Sequence, residues 1–321
     1  MACMDNAHKP PLVIIAGPTA TGKSAAAAEL AIRMNGAVVS ADSMQVYRHM
    51  DIGSAKITKE EMMGIPHYLI DVADPTEEFD VVRYARMAKE AISNIISREK
   101  IPILCGGTGF YIQAVTRDID FSETGSLPEY REELAAYAAE HGNEALHERL
   151  RTIDPVSYET IHPNNLKRVI RALEYYRETG MTISAHNEAE RQRETPYDLH
   201  FFVLNDDRAV LYDRIDRRVD FMMAEGLYDE VMYLRQMGLT RDMVSMQGLG
   251  YKEMLDCMDG RYSLDEAVRV LKRDSRHYAK RQITWFKREK DAVWINRADY
   301  DGDSRRIAEF MARTIGLKKG Q

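Results

Sequence analysis

The most constraining feature of this chain is an octapeptide that follows a short apolar run. Leu12–Ala16 (LVIIA) is continuously hydrophobic, and Gly17-Pro18-Thr19-Ala20-Thr21-Gly22-Lys23-Ser24 comes directly after it. The run reads as a buried parallel strand. The stretch beyond the octapeptide, AAAAELAIRM, is helical by propensity. Strand, glycine-rich turn and helix in this order match the phosphate-cradling pattern G-x-x-x-x-G-K-[ST]. In such a turn the backbone N–H groups converge on phosphate oxygens, and the helix N-terminus adds its positive end. Gly17, Pro18, Thr19, Ala20, Thr21, Gly22, Lys23 and Ser24 are therefore expected to hold a diphosphate or polyphosphate. Lys23 would reach the terminal phosphates, and Ser24 would ligate Mg²⁺.

Further strand and helix signals alternate along the chain. Ala37–Ser40 (AVVS), His67–Asp71 (HYLID), Ile101–Leu104, Leu199–Leu204 (LHFFVL) and Ala292–Ile295 (AVWI) read as strands. Phe79–Arg98 has helical spacing of apolar residues. Alternation of this kind implies an α/β fold with a parallel sheet, like that of P-loop NTPases. Residues 128–195 break the pattern: they are charged, helical in period and punctuated by Asp154-Pro155 and His162-Pro163. The expected organisation is an α/β core at 1–120 and 197–321, interrupted by an all-helical insertion at 121–196. The C-terminal part is again helical. Ser263-Leu264-Asp265-Glu266 reads as a capping box. It opens a long helix with an apolar stripe at Leu264, Ala267, Leu271, Tyr278, Ile283 and Phe286.

The composition narrows the class. The 321 residues and 45 % hydrophobic content suit roughly two globular domains. Cys3, Cys105 and Cys257 lie far apart, without a C-x-x-C or Cys/His cluster, so neither a zinc module nor a disulfide framework is expected. The N-terminal MACMDNAHKPP has no apolar leader before Leu12, and no run approaches the roughly 18 residues of a membrane span. We expect a cytoplasmic monomer that meets no membrane. The net charge of −7 argues mildly against a surface devoted to nucleic acid.

What the loop does with its phosphate depends on the neighbouring acids. A hydrolase of nucleoside triphosphates needs a carboxylate on an adjacent strand to hold Mg²⁺ and water. Ile101–Leu104 ends instead in Cys105-Gly106-Gly107. Asp71 is a candidate substitute, although Pro75 and its surroundings suggest a turn. Asp42 follows the second strand, and carboxyl ends of neighbouring strands line one crevice. It is either a general base beside the phosphate loop or a turn and helix-capping residue.

Several segments together resemble a known family. GPTATGKS, SADSMQVYRHMDIGSAK, HYLIDVADP, GGTGFY, HPNNLKRVIRALE, GYKE and YAKRQITWFK occur in this order in the bacterial tRNA dimethylallyltransferases, or tRNA isopentenyltransferases. The resemblance spans about residues 12–290. It departs at His49, Ser54 and Lys287, where the family commonly has Gly, Thr and Arg. It implies transfer of a dimethylallyl group from dimethylallyl diphosphate to N6 of adenine 37 in the anticodon loop of tRNAs reading codons that begin with U. In that reaction Asp42 would accept the proton of the attacking amine. Thr19 resembles the diphosphate-contacting hydroxyl of the family. Arg218 resembles the arginine that closes on the diphosphate, with a solvated helix charge as its alternative. A missing hydrolytic acid is then no defect, because no water is to be activated.

An RNA acceptor has to present its base unstacked. Asp42, Ser43, Met44 and Gln45 could read it, with Thr108 nearby. The segments Leu166-Lys167-Arg168-Val169-Ile170 and Gln247-Gly248-Leu249-Gly250-Tyr251-Lys252 are further candidates for tRNA contact. Each has a plain alternative: tight turns for the glycines, or an ion pair between Arg168 and Glu174. Lys272–Lys290 is the strongest compositional signal, with eight basic against two acidic residues, a surplus of six. Lys280 and Arg281 lie in it. The alternative is the outer face of a packed helix. Two other functions remain open at this stage: an isopentenyltransferase acting on free adenine nucleotides, and a P-loop kinase of a small metabolite.

Overall fold

The computed structural model describes residues 9–117 and 127–318; the expected domain boundary at 120/121 lies outside them. Six strands form one parallel sheet: β1 (Pro11–Ala16), β2 (Gly36–Ala41), β3 (His67–Tyr68), β4 (Ile101–Gly106), β5 (Asp198–Asn205) and β6 (Val293–Asn296). Their order is β3-β2-β4-β1-β5-β6. β1 lies at the centre, with Ala16 in register with Gly106 on one side and Val203 on the other. Its five residues Leu12–Ala16 are fully buried, which is why they read as an unbroken apolar run rather than an alternating one.

Both faces of the sheet are covered. On one face α1 (Lys23–Met34) and the C-terminal helix pack Ala26, Ala27 and Leu30 against Val13, Ile15, Phe202 and Ile295. On the other face α2 (Val81–Ser97) and α3 (Gly109–Thr116) meet Ile14, Val39 and Leu104. Asp80 caps α2 by accepting from the Arg83 N–H.

The chain divides into two compact units, 1–116 with 196–321, and 117–195. The second contains α4 (Pro128–His141), α5 (Asn143–Glu148), α6 (Leu150–Ile153), α7 (Pro155–Thr160), α8 (Leu166–Thr179) and α9 (Ile183–Gln192). Leu134, Leu146, Leu150, Val169 and Leu173 form its own core. Asp154 caps α7 through the Ser157 N–H and also receives the Ser184 hydroxyl at 2.6 Å, while Pro155 takes the first helical position. Glu174 is fully buried and accepts from Arg131, from Arg171 and from the Leu127 N–H.

The rest of the first unit is α10 (Arg208–Ala224), α11 (Leu227–Gln236), α12 (Tyr251–Met258), α13 (Leu264–Phe286) and α14 (Ser304–Lys318). No described helix is long and apolar enough to cross a membrane.

Several expectations shift in detail. β3 has two residues, not five: Leu69 and Asp71 adopt left-handed φ angles of 62° and 54°, which end the strand. Asp71 is paired with Lys56 at 2.6 Å and does not line the cavity that holds the phosphate loop, which sets it apart from the expected place of a hydrolytic acid. Only half of the capping box forms: Ser263 accepts from the Glu266 N–H, while the Glu266 carboxylate turns to Arg269. Leu264 is 44 % exposed, and so lies outside the apolar stripe.

Burial alone would raise the Glu174 carboxyl, but the hydrogen bonds from Arg131, Leu127 and Arg171 outweigh it and hold the group below its ordinary value. Its stabilisation is therefore present above the ordinary carboxylate range and lost as pH falls through the lowered value. We expect Glu174→Gln to weaken the helical unit by roughly 1.5–3 kcal/mol at neutral pH, the usual worth of hydrogen bonds to a charged group. Urea unfolding of both forms checks it, and the gap between them should close on acidification.

Candidate active site

The carboxyl ends of β1, β2 and β4 converge, and the glycines there are required by contact. Gly17 has φ 143°, and a Cβ on it would lie 2.3 Å from the Leu204 carbonyl oxygen of β5. Gly106 leaves no room either, since a Cβ would stand 2.1 Å from the Ala41 carbonyl oxygen of β2. The loop from Gly17 to Gly22 then curls through Ala20 at φ 64° before α1 begins.

This curl is held by side chains from within and from outside. The Thr21 hydroxyl and the Lys23 ammonium both donate to the Pro18 carbonyl, at 2.8 and 2.6 Å. Arg214 Nε of α10 donates to the Ala20 carbonyl at 2.8 Å, and Arg218 Nη1, one turn on, donates to Thr19 Oγ1 at 3.3 Å. Arg297, buried after β6, lies beside Gly22 and donates to the Gly302 carbonyl. Pro18 has no N–H and Thr21 is buried, so these two shape the loop rather than offer side-chain groups to a ligand. Burial pushes Lys23 down to about 8, with Arg218 adding to the effect and Cys105 and Asp42 opposing it. The buried Cys105 thiol is pushed up to about 12, which leaves it protonated and unreactive.

Asp42 follows β2 directly. Its Oδ1 accepts from the Met44 N–H at 2.9 Å and the Gln45 N–H at 3.4 Å. The turn role anticipated as an alternative is therefore real, but it occupies one carboxylate oxygen and leaves the other available. Thr108 Oγ1 accepts from the Ser43 N–H at 3.1 Å, tying the loop after β4 to the loop after β2.

Two cavities meet here. One, of about 410 Å³, is lined by Ser43, Met44, Gly248, Leu249, Lys252 and Arg281 among others. The other, of about 990 Å³, contains Lys23, Ser24, Arg214 and the phosphate loop. Six residues line both: Thr19, Asp42, Ser54, Arg218, Met222 and Tyr278. The three residues proposed from sequence for chemistry thus stand together at the junction. Arg217, exposed and paired with Asp213, is the solvated helix charge that Arg218 is not.

Other expectations change. Val169 is fully buried in the core of the helical unit, with Leu166 and Ile170 packed against it. The Val169 side chain is thus closed to RNA, Leu166 and Ile170 are half-buried, and the exposed side chains of that segment are Lys167 and Arg168. It is Arg131 and Arg171, not Arg168, that bind Glu174. Tyr251 is fully buried, with its hydroxyl on Glu230 at 2.9 Å and its ring against Gly53, so it supports the site from behind. Gly250 opens α12, its N–H bonded to Glu253. Gln45 Nε2 is turned to the Ala55 carbonyl at 3.3 Å, and Gln247 Nε2 to the Arg241 carbonyl, so these two amides brace loops.

The basic helix α13 is less free than its composition suggests. Lys272 and Arg276 pair with Asp220 and Asp216 of α10, and Arg273 with Asp274. Lys280, Arg281, Lys287, Arg288 and Lys290 remain exposed. Tyr278 belongs to the site and not to the core stripe, and its phenol is pushed up to about 12 by burial and then by the Asp42 charge. Glu230 was missed altogether: it accepts from the N–H groups of Asp51, Ile52 and Gly53. Gln282 stands in the YAKRQITWFK segment, but an uncharged residue inside a basic run does not reveal its partner.

Comparisons with known proteins identify the family. The family model described as IPP transferase matches residues 45–289. A tRNA dimethylallyltransferase of Lachnoclostridium phytofermentans is 55 % identical over 301 residues, covering 94 % of this chain and 96 % of that protein. The full-length tRNA isopentenylpyrophosphate transferase of Bacillus halodurans has a similar structure, with TM-score 0.73 and 46 % identity over 97 % of this chain and 99 % of that one. A eukaryotic dimethylallyltransferase, described as acting on tRNA, superposes with TM-score 0.75 and 29 % identity, covering 89 % of this chain and 74 % of that one. With the phosphate loop, Asp42 and Arg218 meeting at one junction and nearly the whole chain matched, this protein belongs to the IPP transferase family, the tRNA dimethylallyltransferases.

Proposed function

We propose that the chain takes its dimethylallyl group from dimethylallyl diphosphate and attaches it to N6 of adenine 37 in tRNAs that read codons beginning with U, releasing diphosphate. The observation that carries this reading is the junction of the two cavities at Thr19, Asp42 and Arg218. The larger cavity, with the phosphate loop, suits the diphosphate. The smaller, beside Ser43, Met44 and Lys252, suits the unstacked base.

In the reaction the N6 lone pair forms the new bond to C1 of the dimethylallyl group. The C1–O bond breaks, and its electron pair leaves with the diphosphate. The loop N–H groups, Lys23 and Arg218 stabilise that growing negative charge. The N6 proton passes to the Asp42 oxygen that the turn does not use. Thr19 accepts from Arg218 and so aims the guanidinium at the leaving group. The Ser24 hydroxyl, at the start of α1 in the larger cavity, has no protein partner, and no described cluster of three His, Cys, Asp or Glu offers an alternative metal site. One hydroxyl with diphosphate and water oxygens suits Mg²⁺, which would supply further charge neutralisation on the leaving diphosphate. Lys167 and Arg168 of the helical unit, and Lys280 and Arg281 of α13, are the exposed cations we assign to tRNA phosphates.

The test is to incubate the protein with Mg²⁺, dimethylallyl diphosphate and either unmodified tRNA or AMP, then to digest the product and look for prenylated adenine. Product from tRNA is expected. Product from AMP alone would favour the free-nucleotide reading, and turnover of ATP alone the kinase. Asp42→Asn should lower turnover by about 10²–10⁴-fold while tRNA affinity holds, as for a lost general base. Unchanged turnover would remove that role.

Lys23 yields a pH prediction. A bound diphosphate favours the ammonium form, so the lysine value rises from about 8 on binding. Binding of inorganic pyrophosphate at about pH 9 should therefore take up protons at Lys23. Calorimetry in buffers of different ionisation enthalpy reads this, and Lys23→Arg, which stays charged, should abolish the uptake. Equal proton balance in both proteins would refute the assignment. With four cations assigned to tRNA phosphates, tRNA binding should weaken with salt along a modest slope, about one counterion for each contacted phosphate. A filter-binding series over salt concentration measures it.

A further inference from the structure

Gln282 of α13 lies between two loops of the site. It is 6 % exposed, and both ends of its amide are used. Oε1 accepts from the Thr19 N–H at 2.9 Å, and Nε2 donates to the Gly107 carbonyl at 2.9 Å. The amide orientation is unambiguous, since one partner is a donor and the other an acceptor. The contact is close on the Gly107 side: a Cβ there would lie 2.2 Å from Nε2. One side chain thus ties the loop after β1 to the loop after β4, from a helix far along the chain.

The consequences fall on Thr19. Its N–H is held by Gln282 while its hydroxyl accepts from Arg218, so the residue is fixed from two directions. Either bond alone would leave a hinge about the other. Thr108, the next residue after Gly107, fixes the Ser43 N–H beside Asp42. The amide is also neutral. A carboxylate at this position could accept from Thr19 but could not donate to Gly107, and it would set a negative charge beside a bound diphosphate. A lysine could not accept from Thr19 at all.

We infer that Gln282 is a positioning residue for the transfer step, holding Thr19 of the phosphate loop so that its hydroxyl and the Arg218 guanidinium face the leaving diphosphate together. This rests on the reading that Thr19 and Arg218 serve the diphosphate. Gln282 acts on the donor chiefly through Thr19, so most of the cost of its removal depends on the Thr19 hydroxyl, and only a small remainder passes through Gly107.

The test is a double-mutant cycle with Gln282→Leu and Thr19→Ala, reading kcat and KM for dimethylallyl diphosphate and the affinity for unmodified tRNA. In the otherwise native chain, Gln282→Leu should lower kcat/KM for the donor roughly 10²-fold, as expected for a small misplacement of a reacting geometry. In the Thr19→Ala background the same change should cost no more than about threefold, the non-additivity of residues acting as a unit. Affinity for tRNA should be unchanged in both. Gln282→Glu folds with the same shape and supplies the second variant. It should raise the donor KM more than Gln282→Leu does, because of its charge. A loss of folded protein alone would lower the active fraction, and with it kcat, without raising the donor KM. Equal losses in the two backgrounds, or a Gln282→Glu protein better than Gln282→Leu, would overturn the inference. A Thr19→Ala protein with native donor kinetics would instead overturn the underlying reading of Thr19.

Discussion

The curled backbone from Gly17 to Gly22 is the constraint on which the catalytic unit depends. Such a curl gathers backbone N–H groups on one side and needs carbonyls turned to the other. The protein meets that need at two of these carbonyls with side-chain donors. Lys23 and Thr21 take the Pro18 carbonyl, and Arg214 takes that of Ala20. Three cations on two separate segments, Arg214 and Arg218 on α10 and Arg297 after β6, therefore crowd around one short loop. Their mutual repulsion would be offset by the diphosphate proposed to bind there. The lowered Lys23 value expresses the same balance of burial and like charge.

The second organising element is α13. Its sequence mixes three tasks on a single helix, separated by face. Ala267, Leu271 and Phe286 are buried in the core. Tyr278 and Gln282, one turn apart, look into the site. Lys272, Arg273 and Arg276 are neutralised by Asp220, Asp274 and Asp216, so the local basic surplus is smaller at the surface than in the sequence. The whole-chain charge of −7 is thus no obstacle to an RNA substrate. Acids paired with α13 subtract from both counts at once, and the exposed remainder of the helix stays basic.

Parts of the site were legible before any coordinates because their chemistry demands a fixed local spacing. The phosphate loop is one, since glycine positions and a lysine at the helix start are imposed by backbone geometry. Asp42 is another in its position, because the carboxyl end of a strand in a parallel sheet opens on the crevice, although the sequence allowed a turn role as well. Tyr278, Gln282 and Glu230 were not legible. Each acts on a partner distant in sequence, and helical periodicity assigns Tyr278 to the core as readily as to the site. The reverse error occurred at Val169 and Tyr251, where proximity to basic or glycine-rich motifs suggested RNA contact for side chains that are fully buried.

By itself the sequence determined the parallel α/β sheet, the phosphate loop at its centre and the acid that faces it, because apolar runs, glycines and capping residues act over a few neighbouring positions. It also carried the family, through motifs in a fixed order. Only the tertiary structure decided which arginine faces Thr19, which basic residues are already paired, and which amide holds the loop to Gly107. Those choices depend on how α10 and α13 pack across the sheet ends. Local pattern sets the face a residue occupies, but only packing sets what stands opposite it.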